Sequence, residues 1–212
     1  MALNDSDLAV ASEGSFGPHP SIIFVPADEE LLLFIDRRND LKIFAQQLST
    51  DTNLNGEEIH TKNQLEEFAR RSLFPSHGLI MRKSKDDFDE VVKGVTDWDT
   101  LLKTFHQLKG IGSSVYVETD MRAMYNPTRM KVIEQVTHKL VKKIKSCCPQ
   151  CQAPGFGVTK ANQGLRCDAC HFPTRSIQSY TYTCQRCSFT KDEMYPFQKT
   201  AESPMFCDMC NP

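Results

Sequence analysis

The first 146 residues contain no cysteine, although the whole chain has nine. No apolar run approaches the roughly 18 residues that a membrane-spanning helix needs. The first ten residues include Asp5 and Asp7 but no basic residue, so we expect no secretory signal. The net charge is only −2, which gives no overall attraction for nucleic acid or anionic lipid. A reducing cytoplasm is therefore the expected compartment, where paired cysteines serve as metal ligands more often than as disulfides.

Eight of the nine cysteines form four Cys-x-x-Cys pairs near the end of the chain. Two intervening residues turn the backbone so that both thiolates reach one tetrahedral metal ion, and a second pair completes the shell. Fifteen residues separate the first two pairs and nineteen the last two, both typical of zinc ribbons. We therefore predict two structural zinc ions, with sequential pairing favoured. The predicted ligands are Cys148, Cys151, Cys167, Cys170, Cys184, Cys187, Cys207 and Cys210.

The cysteine spacing leaves alternatives open. A disulfide framework, an iron–sulfur cluster and an interleaved arrangement, in which Cys148 and Cys151 join Cys184 and Cys187, would all use the same residues. Cys147 could replace Cys148 in the first pair or remain a spare thiol. Because this region has few aliphatic residues, metal binding should drive its folding.

The fold is predicted to be α/β, with a mixed or mostly parallel sheet flanked by helices in residues 1–145. Residues 146–212 would follow as a small double zinc ribbon. Short runs rich in Val, Ile, Leu and Phe recur, and several are apolar on both faces, as in a sheet covered on both sides. These runs are Leu8–Ser12, Ile22–Val25, Leu31–Asp36, Leu41–Leu48, Gly78–Arg82 and Ser114–Thr119.

Three helices are predicted between these strands. Thr61 and Gln64 form a capping box ahead of an apolar run. A second helix is expected to start near Ser84 or Asp86 and to carry the apolar residues Phe88, Val91 and Val92. A third should begin at Asp97 and end at Gly110.

A fourth helix should begin after Asn126, which can cap it, with Pro127 in its first turn. Apolar residues then recur at helical spacing on one face: Ile133, Val136, Leu140, Val141 and Ile144. The lysines on its other face suit either a solvated flank near the helix C-terminus or a local basic patch.

The segment Ser12–Pro20 follows an apolar strand and is rich in glycine, proline and polar residues. Ligands of α/β proteins bind at such strand ends, so Ser12, Ser15 and His19 are candidate ligand-binding residues and Glu13 a candidate catalytic carboxylate. The segment contains neither GxGxxG nor Gly-Lys-Ser, so it matches no nucleotide-binding fingerprint. A plain turn is the alternative.

A second polar segment runs from Glu118 to Arg129, between a strand and the last helix. Free N–H groups at a helix N-terminus attract anions, and Arg122, Asn126 and Arg129 could bind phosphate or carboxylate there. Glu118 and Asp120, with Glu13, are candidate catalytic residues that could hold Mg²⁺ in an oxygen shell. Internal ion pairing is the alternative interpretation.

Several phrases resemble a bacterial domain family of unknown function. They are Ala11–Pro20, Glu118–Ala123, Asn126–Arg129, the four Cys-x-x-Cys pairs and the ending Cys207–Pro212. The resemblance implies an N-terminal α/β domain followed by paired Cys-x-x-Cys zinc ribbons, and it implies no established activity. It also implies a strand-and-helix segment ahead of Ala11–Pro20. We therefore expect this chain to be short at its N-terminus and any site completed by that segment to be impaired.

Two functions follow from these patterns. The first is a zinc-binding protein whose α/β domain binds a phosphorylated or anionic small ligand, with divalent-metal-dependent hydrolysis as its reaction. The second is a non-enzymatic zinc-ribbon module for a protein partner. Nucleic acid is a poor partner, because residues 146–212 hold six basic and five acidic side chains. Two four-thiolate zinc sites would bring this region to about −3. The sequence does not decide whether the protein is an enzyme.

Overall fold

The computed structural model describes residues 6–110 and 113–212. Its strands are β1 (Leu8–Pro18), β2 (Pro26–Asp36), β3 (Leu41–Ser49), β4 (Gly56–Ile59), β5 (Leu79–Arg82), β6 (Val92–Val95), β7 (Val115–Thr119), β8 (Gly157–Gln163), β9 (Ile177–Thr183) and β10 (Thr190–Met194). Its α-helices are α1 (Lys62–Arg71), α2 (Trp98–Lys109) and α3 (Pro127–Lys145), with single 3-10 turns at Ala123–Tyr125 and Pro204–Phe206. None of these helices is long and apolar enough to cross a membrane.

The strands form three separate sheets, ordered β1-β2-β3, β4-β7-β5-β6 and β10-β9-β8. Neighbouring strands of the second and third sheets are antiparallel throughout. The predicted α/β fold with a mixed or mostly parallel sheet is therefore wrong, and the chain is mostly antiparallel β-structure. Continuous apolar runs misled the prediction, because Leu31 and Phe44 lie within them yet are 39% and 56% exposed.

The chain forms two compact units. The central unit comprises Ser12–Leu32 and Gln46–His138, and the cysteine unit comprises the residues up to Ala11, Leu33–Ala45 and Lys139–Pro212. The predicted boundary between 1–145 and 146–212 concerns independent folding, which compactness does not test, so it stays a prediction.

The central unit is built on the four-stranded sheet, with α1 and α2 contributing to its core. Phe68 of α1 and Phe105 of α2 are buried together with the strand residues Leu79, Met81 and Val117. Helices gathered on an antiparallel sheet give an α+β arrangement. At about 25 cal/mol per Å² of apolar surface, this core is the main source of the unit's stability.

The cysteine unit contains the β10-β9-β8 sheet and a much smaller core. Cys148 and Cys184 are buried there with Ala153, against the partly buried rings of Phe156 and Phe189. Phe156 stacks on Tyr182 with ring centroids 5.7 Å apart. Aromatic rings therefore supply much of the apolar surface of this small core.

The helices predicted after Thr61 and at Asp97 are confirmed. Thr61 and Gln64 form the capping box of α1, and Asp97 caps α2, which ends before Gly110. By contrast, no helix starts near Ser84 or Asp86. Phe88, expected on the apolar face of that helix, is 70% exposed and lies against Arg82, whose guanidinium carbon is 4.7 Å from the ring centroid.

Candidate functional site

The eight paired cysteines form two groups of four. Cys148 and Cys151 meet Cys184 and Cys187, and Cys167 and Cys170 meet Cys207 and Cys210; within each group all sulfur atoms lie within 4.8 Å of one another. The pairs are therefore interleaved along the chain, and the favoured sequential pairing is wrong. The two gap lengths had suggested neighbours in sequence, but the meeting of the pairs is decided by how the strands between them fold.

The sulfur positions fit a tetrahedral metal ion. The closest sulfurs of different pairs are 3.6–3.7 Å apart in the first group (Cys151–Cys184 and Cys148–Cys187) and 3.5–3.8 Å apart in the second (Cys170–Cys207 and Cys167–Cys210). Zinc–sulfur bonds of about 2.3 Å put two tetrahedral ligands about 3.8 Å apart. Both groups can thus hold a metal ion such as zinc with little rearrangement.

Each Cys-x-x-Cys turn is closed by its own backbone. The residue after the second cysteine donates its N–H to the carbonyl of the first cysteine, at 2.9 Å for Gln152 and Asn211 and 3.0 Å for His171 and Ser188. Gln152, His171 and Ser188 all have φ near +59°, a conformation that few non-glycine residues adopt. Sequence reasoning missed them, although their position after each pair is a usable signal.

Backbone N–H groups and crowding give the thiols unequal proton affinities. Hydrogen bonds from the backbone, first from Cys170, lower the pKa of Cys167 to about 7. Hydrogen bonding with the neighbouring thiol of Cys170, followed by burial, raises the pKa of Cys210 to about 12. Four such sulfurs become thiolates together only when a cation neutralises them, so metal binding must release protons.

Cys147 belongs to neither group. It is exposed, whereas the adjacent Cys148 is buried within the first group. The alternative in which Cys147 replaces Cys148 as a ligand is therefore excluded in this structure, and Cys147 is the spare thiol.

The first polar segment, predicted as a loop, is mostly strand. β1 continues to Pro18, with Ser12, Glu13 and Ser15 exposed along it. Glu13 and Ser15 line a shallow cavity of about 320 Å³. His19 has a structural role, because its Nδ1 accepts N–H groups from Ser21 at 3.1 Å and Ile22 at 3.2 Å.

The two polar segments nevertheless meet at Gly14. A Cβ on Gly14 would lie 2.7 Å from Glu30 Oε1 and even closer to Arg129 Nη2. Arg129 donates from Nε to Glu30 Oε1 at 2.6 Å and from Nη1 to the carbonyl of Met121 at 2.7 Å. Its guanidinium also stacks over Phe16, 4.9 Å from the ring centroid. Glycine at position 14 leaves the space that this arginine occupies.

The carboxylates of the second segment are held in ion pairs. Asp120 is fully buried and accepts hydrogen bonds from Arg122 Nη2 at 2.6 Å and from the backbone N–H of Gly94 at 3.0 Å. Burial alone would raise the pKa of Asp120, but the Arg122 hydrogen bonds outweigh it and lower that pKa. Glu118 accepts from Arg82 Nη2 at 3.1 Å.

The N-terminus of α3 has no free N–H groups to offer an anion. The Asn126 side chain accepts the N–H of Arg129 at 3.0 Å, which confirms its predicted capping role. His77 Nε2 accepts the N–H of Thr128 at 3.2 Å, and the Asn126 carbonyl accepts that of Met130 at 3.0 Å. An anion bound here would have to displace these caps.

A cavity of about 340 Å³, here called the central cavity, opens beside these ion pairs. Its charged wall consists of Lys93, Glu118, Asp120, Arg122 and Arg129. Glu118 and Asp120 are each neutralised by an arginine, as described above. Within residues 6–110 and 113–212, Lys93 forms no ion pair, so the wall carries an excess of positive charge.

The structure brings only some of the predicted residues together. Glu118, Asp120, Arg122 and Arg129 share the central cavity, whereas Glu13 lines the other one. Sequence reasoning missed Asp28 and Glu30, which are fully buried on β2. Their alternation with Leu32 was the available signal, since it places two carboxyls on the apolar face of the strand.

Comparison with known proteins gives a family but no activity. No curated protein and no solved structure matches the chain. The expected bacterial origin and cytoplasmic location stay predictions. The sequence matches a family over residues 1–212, and the protein belongs to that family, the Domain of unknown function (DUF6671).

Proposed function

We propose that this is a zinc-binding protein whose central unit binds a small anionic ligand, such as a phosphorylated metabolite, in the central cavity. The observation that carries the proposal is the charge of the cavity wall. Both lining carboxylates are paired with arginines, and Lys93 adds a positive charge without a partner among the described residues. A ligand carrying one or two negative charges complements this wall.

The metal sites have a structural role in this proposal. Four thiolates fill the coordination shell of zinc and leave no position for water or substrate. The small aromatic core of the cysteine unit needs stabilisation by bound metal ions, because it buries little apolar surface of its own. Elemental analysis should find about two zinc ions per chain, and Co²⁺ substitution should give the absorption of tetrahedral thiolate coordination.

We propose ligand binding by the central unit but not hydrolysis. The predicted Mg²⁺ shell combined Glu13, Glu118 and Asp120, but Glu13 lines a different cavity. The other two carboxylates are engaged by Arg82 and Arg122. Without three oxygen ligands directed at one point, these residues form no Mg²⁺ shell of the expected kind.

A thermal-shift panel of nucleotides, sugar phosphates and simple anions tests the ligand, using protein whose zinc content has been verified. We expect stabilisation by one phosphorylated class and its loss in Lys93→Gln. Lys85→Gln is the matched control, because Lys85 is an exposed lysine of the same unit outside the central cavity. Equal shifts in both variants would refute binding at this cavity.

A second candidate function is a module that binds a protein partner. Large apolar side chains that flank Cys170, Cys207 and Cys210 in the sequence are exposed, namely Phe172, Met205, Phe206 and Met209. An exposed apolar surface of this kind is typical of protein-binding sites. Cross-linking in cells tests this function, with Phe206→Ser as the variant and Phe88→Ser, an exposed phenylalanine of the central unit, as the control. It requires one cross-linked partner that only Phe206→Ser loses.

A further inference from the structure

Two neighbouring carboxyl groups are buried on β2 without enough partners. Asp28 and Glu30 are fully buried and lie on the same face of the strand. Both oxygens of Asp28, and Oε2 of Glu30, have no hydrogen-bond partner among the described residues. Because burying an unpaired carboxylate is costly, such a group normally takes up a proton instead.

The charges around this pair do not balance. The charged groups that act on Asp28 are Glu30 on its own strand and Arg129 on α3. Arg129 is committed to Glu30 through the 2.6 Å hydrogen bond from its Nε. On β1 the neighbour of the pair is Gly14, which carries no charge. One guanidinium therefore meets two carboxyl groups, and one positive charge is missing.

We propose that Asp28 and Glu30 hold one proton between them. This proton sets the negative charge behind Arg129 and thereby how strongly the central cavity attracts an anion. A proton needs no additional space. A divalent ion would need six or more oxygen ligands, and neither Asp28 nor Glu30 lines the central cavity or the cavity beside Glu13. Asp28 and Glu30 act as positioning residues, since they reach the cavity only through Arg129.

The direction of titration follows from the same contacts. Burial, followed by the negative charge of Glu30, raises the pKa of Asp28 from 3.8 to about 6. The folded protein therefore keeps a proton that the unfolded chain has already lost. The resulting stabilisation is fully present below the unfolded pKa and is lost as the pH rises through about 6.

Denaturation of the full zinc-loaded chain between pH 4 and pH 8 tests the shared proton. Asp28→Asn imitates the protonated group, so this variant should lack the loss of stability that the unmutated protein shows between about pH 4 and pH 6. From the two pKa values, the ratio of the unfolding constants of unmutated protein and Asp28→Asn should rise roughly 50-fold across this range. Glu29→Gln is the matched control, because it removes a carboxylate from the opposite face of β2 and should follow the unmutated protein.

Carboxyl ¹³C shifts of the unmutated protein give a second readout that requires no variant to fold. The Asp28 signal should titrate near pH 6. An Asp28 signal that titrates like an exposed carboxyl, or equal pH dependence in Asp28→Asn and unmutated protein, would overturn the shared proton.

The link to the cavity rests on the proposed function and is tested separately with inorganic sulfate, whose charge is constant over this range. Deprotonated Asp28 adds a negative charge behind Arg129, so sulfate should bind more weakly at pH 7.5 than at pH 5.5. Asp28→Asn should abolish this difference. If no variant binds sulfate although Asp28 titrates near pH 6, the anion cavity is refuted and the shared proton stands. If sulfate binds equally at both pH values, the link through Arg129 is refuted.

Discussion

Replacing Gly14 by alanine tests the junction between the two polar segments. The added Cβ would lie 2.7 Å from Glu30 Oε1, well inside normal van der Waals contact, and closer still to Arg129 Nη2. Neither neighbour can move freely, because Glu30 is fully buried and the Arg129 side chain is only 15% exposed. The alanine must therefore shift the guanidinium relative to its carboxylate and weaken the contact between them.

The cost of this displacement can be bounded. Overpacking a well-packed site costs about 1–3 kcal/mol, and breaking a buried ion pair costs about 3–5 kcal/mol. Because Arg129 can keep part of its contact with Glu30 after a small shift, we expect the free energy of unfolding to fall by about 2–4 kcal/mol. For a chain of this size that corresponds to a melting temperature lower by very roughly 5–15 °C.

Gly17→Ala is the matched control, because a Cβ on Gly17 would meet nothing within 4 Å. It should be neutral, or stabilising by up to about 1 kcal/mol through a less flexible unfolded chain. Urea denaturation followed by the fluorescence of Trp98, the single tryptophan, reports on the central unit. If Gly14→Ala and Gly17→Ala agree within about 0.5 kcal/mol, Arg129 does not occupy the space beside Gly14.

Three further predictions follow from the same structure. Cys184→Ser should release one metal ion and make the thiols of Cys148 and Cys151 reactive towards alkylation; reactivity of the last pair instead would contradict interleaving. Burial lowers the pKa of His77, so its stabilising cap on α3 should be present above its unfolded pKa and weaken as the pH falls. His77→Asn should reduce the acid-side loss of stability measured by denaturation between pH 7.5 and pH 5. Chelation should unfold residues 146–212, while the rest of the chain stays protected from hydrogen exchange. Protection retained by residues 146–212 in the metal-free protein would contradict metal-driven folding.

Local signals in the sequence predicted the helices well. The side chains of Thr61, Asp97 and Asn126 each accept the backbone N–H three residues further along. Such a cap depends on neighbouring residues alone, so a short stretch of sequence is enough to predict it. The helix expected near Ser84 had weaker support, because its apolar residues fit a helix pattern but were not tied to a bonded cap. The Phe88 ring instead lies at the surface, where it packs against the guanidinium of Arg82.

The sheets and the metal groups could not be predicted in the same way, because both depend on contacts between distant residues. β5 pairs with β7 across more than thirty residues, and Cys151 meets Cys184 over the same kind of distance. Nothing in a local apolar run shows whether its partner strand is parallel. Spacing identified the metal ligands as a set, yet each pair could meet any of the other three pairs.

The candidate site shows the same limit at the level of side chains. The sequence indicated Asp120 as a candidate catalytic residue, and Arg122 and Arg129 as candidate ligand-binding residues, because these charged residues lie between a strand and a helix. In the structure, Arg122 is held by Asp120, and Arg129 by the unmarked Glu30. A ligand can therefore interact only with the net charge that remains after these ion pairs have formed.

This remaining charge has opposite signs on the two sides of Arg129. Towards the central cavity, Lys93 leaves an excess of positive charge; behind the arginine, Asp28 leaves an excess of negative charge that a proton can cancel. Because one guanidinium is shared between both sides, a change of charge at Asp28 must alter how strongly the cavity attracts an anion. Ligand binding and proton binding in the central unit should therefore be linked, with each anion bound raising the affinity of Asp28 for its proton.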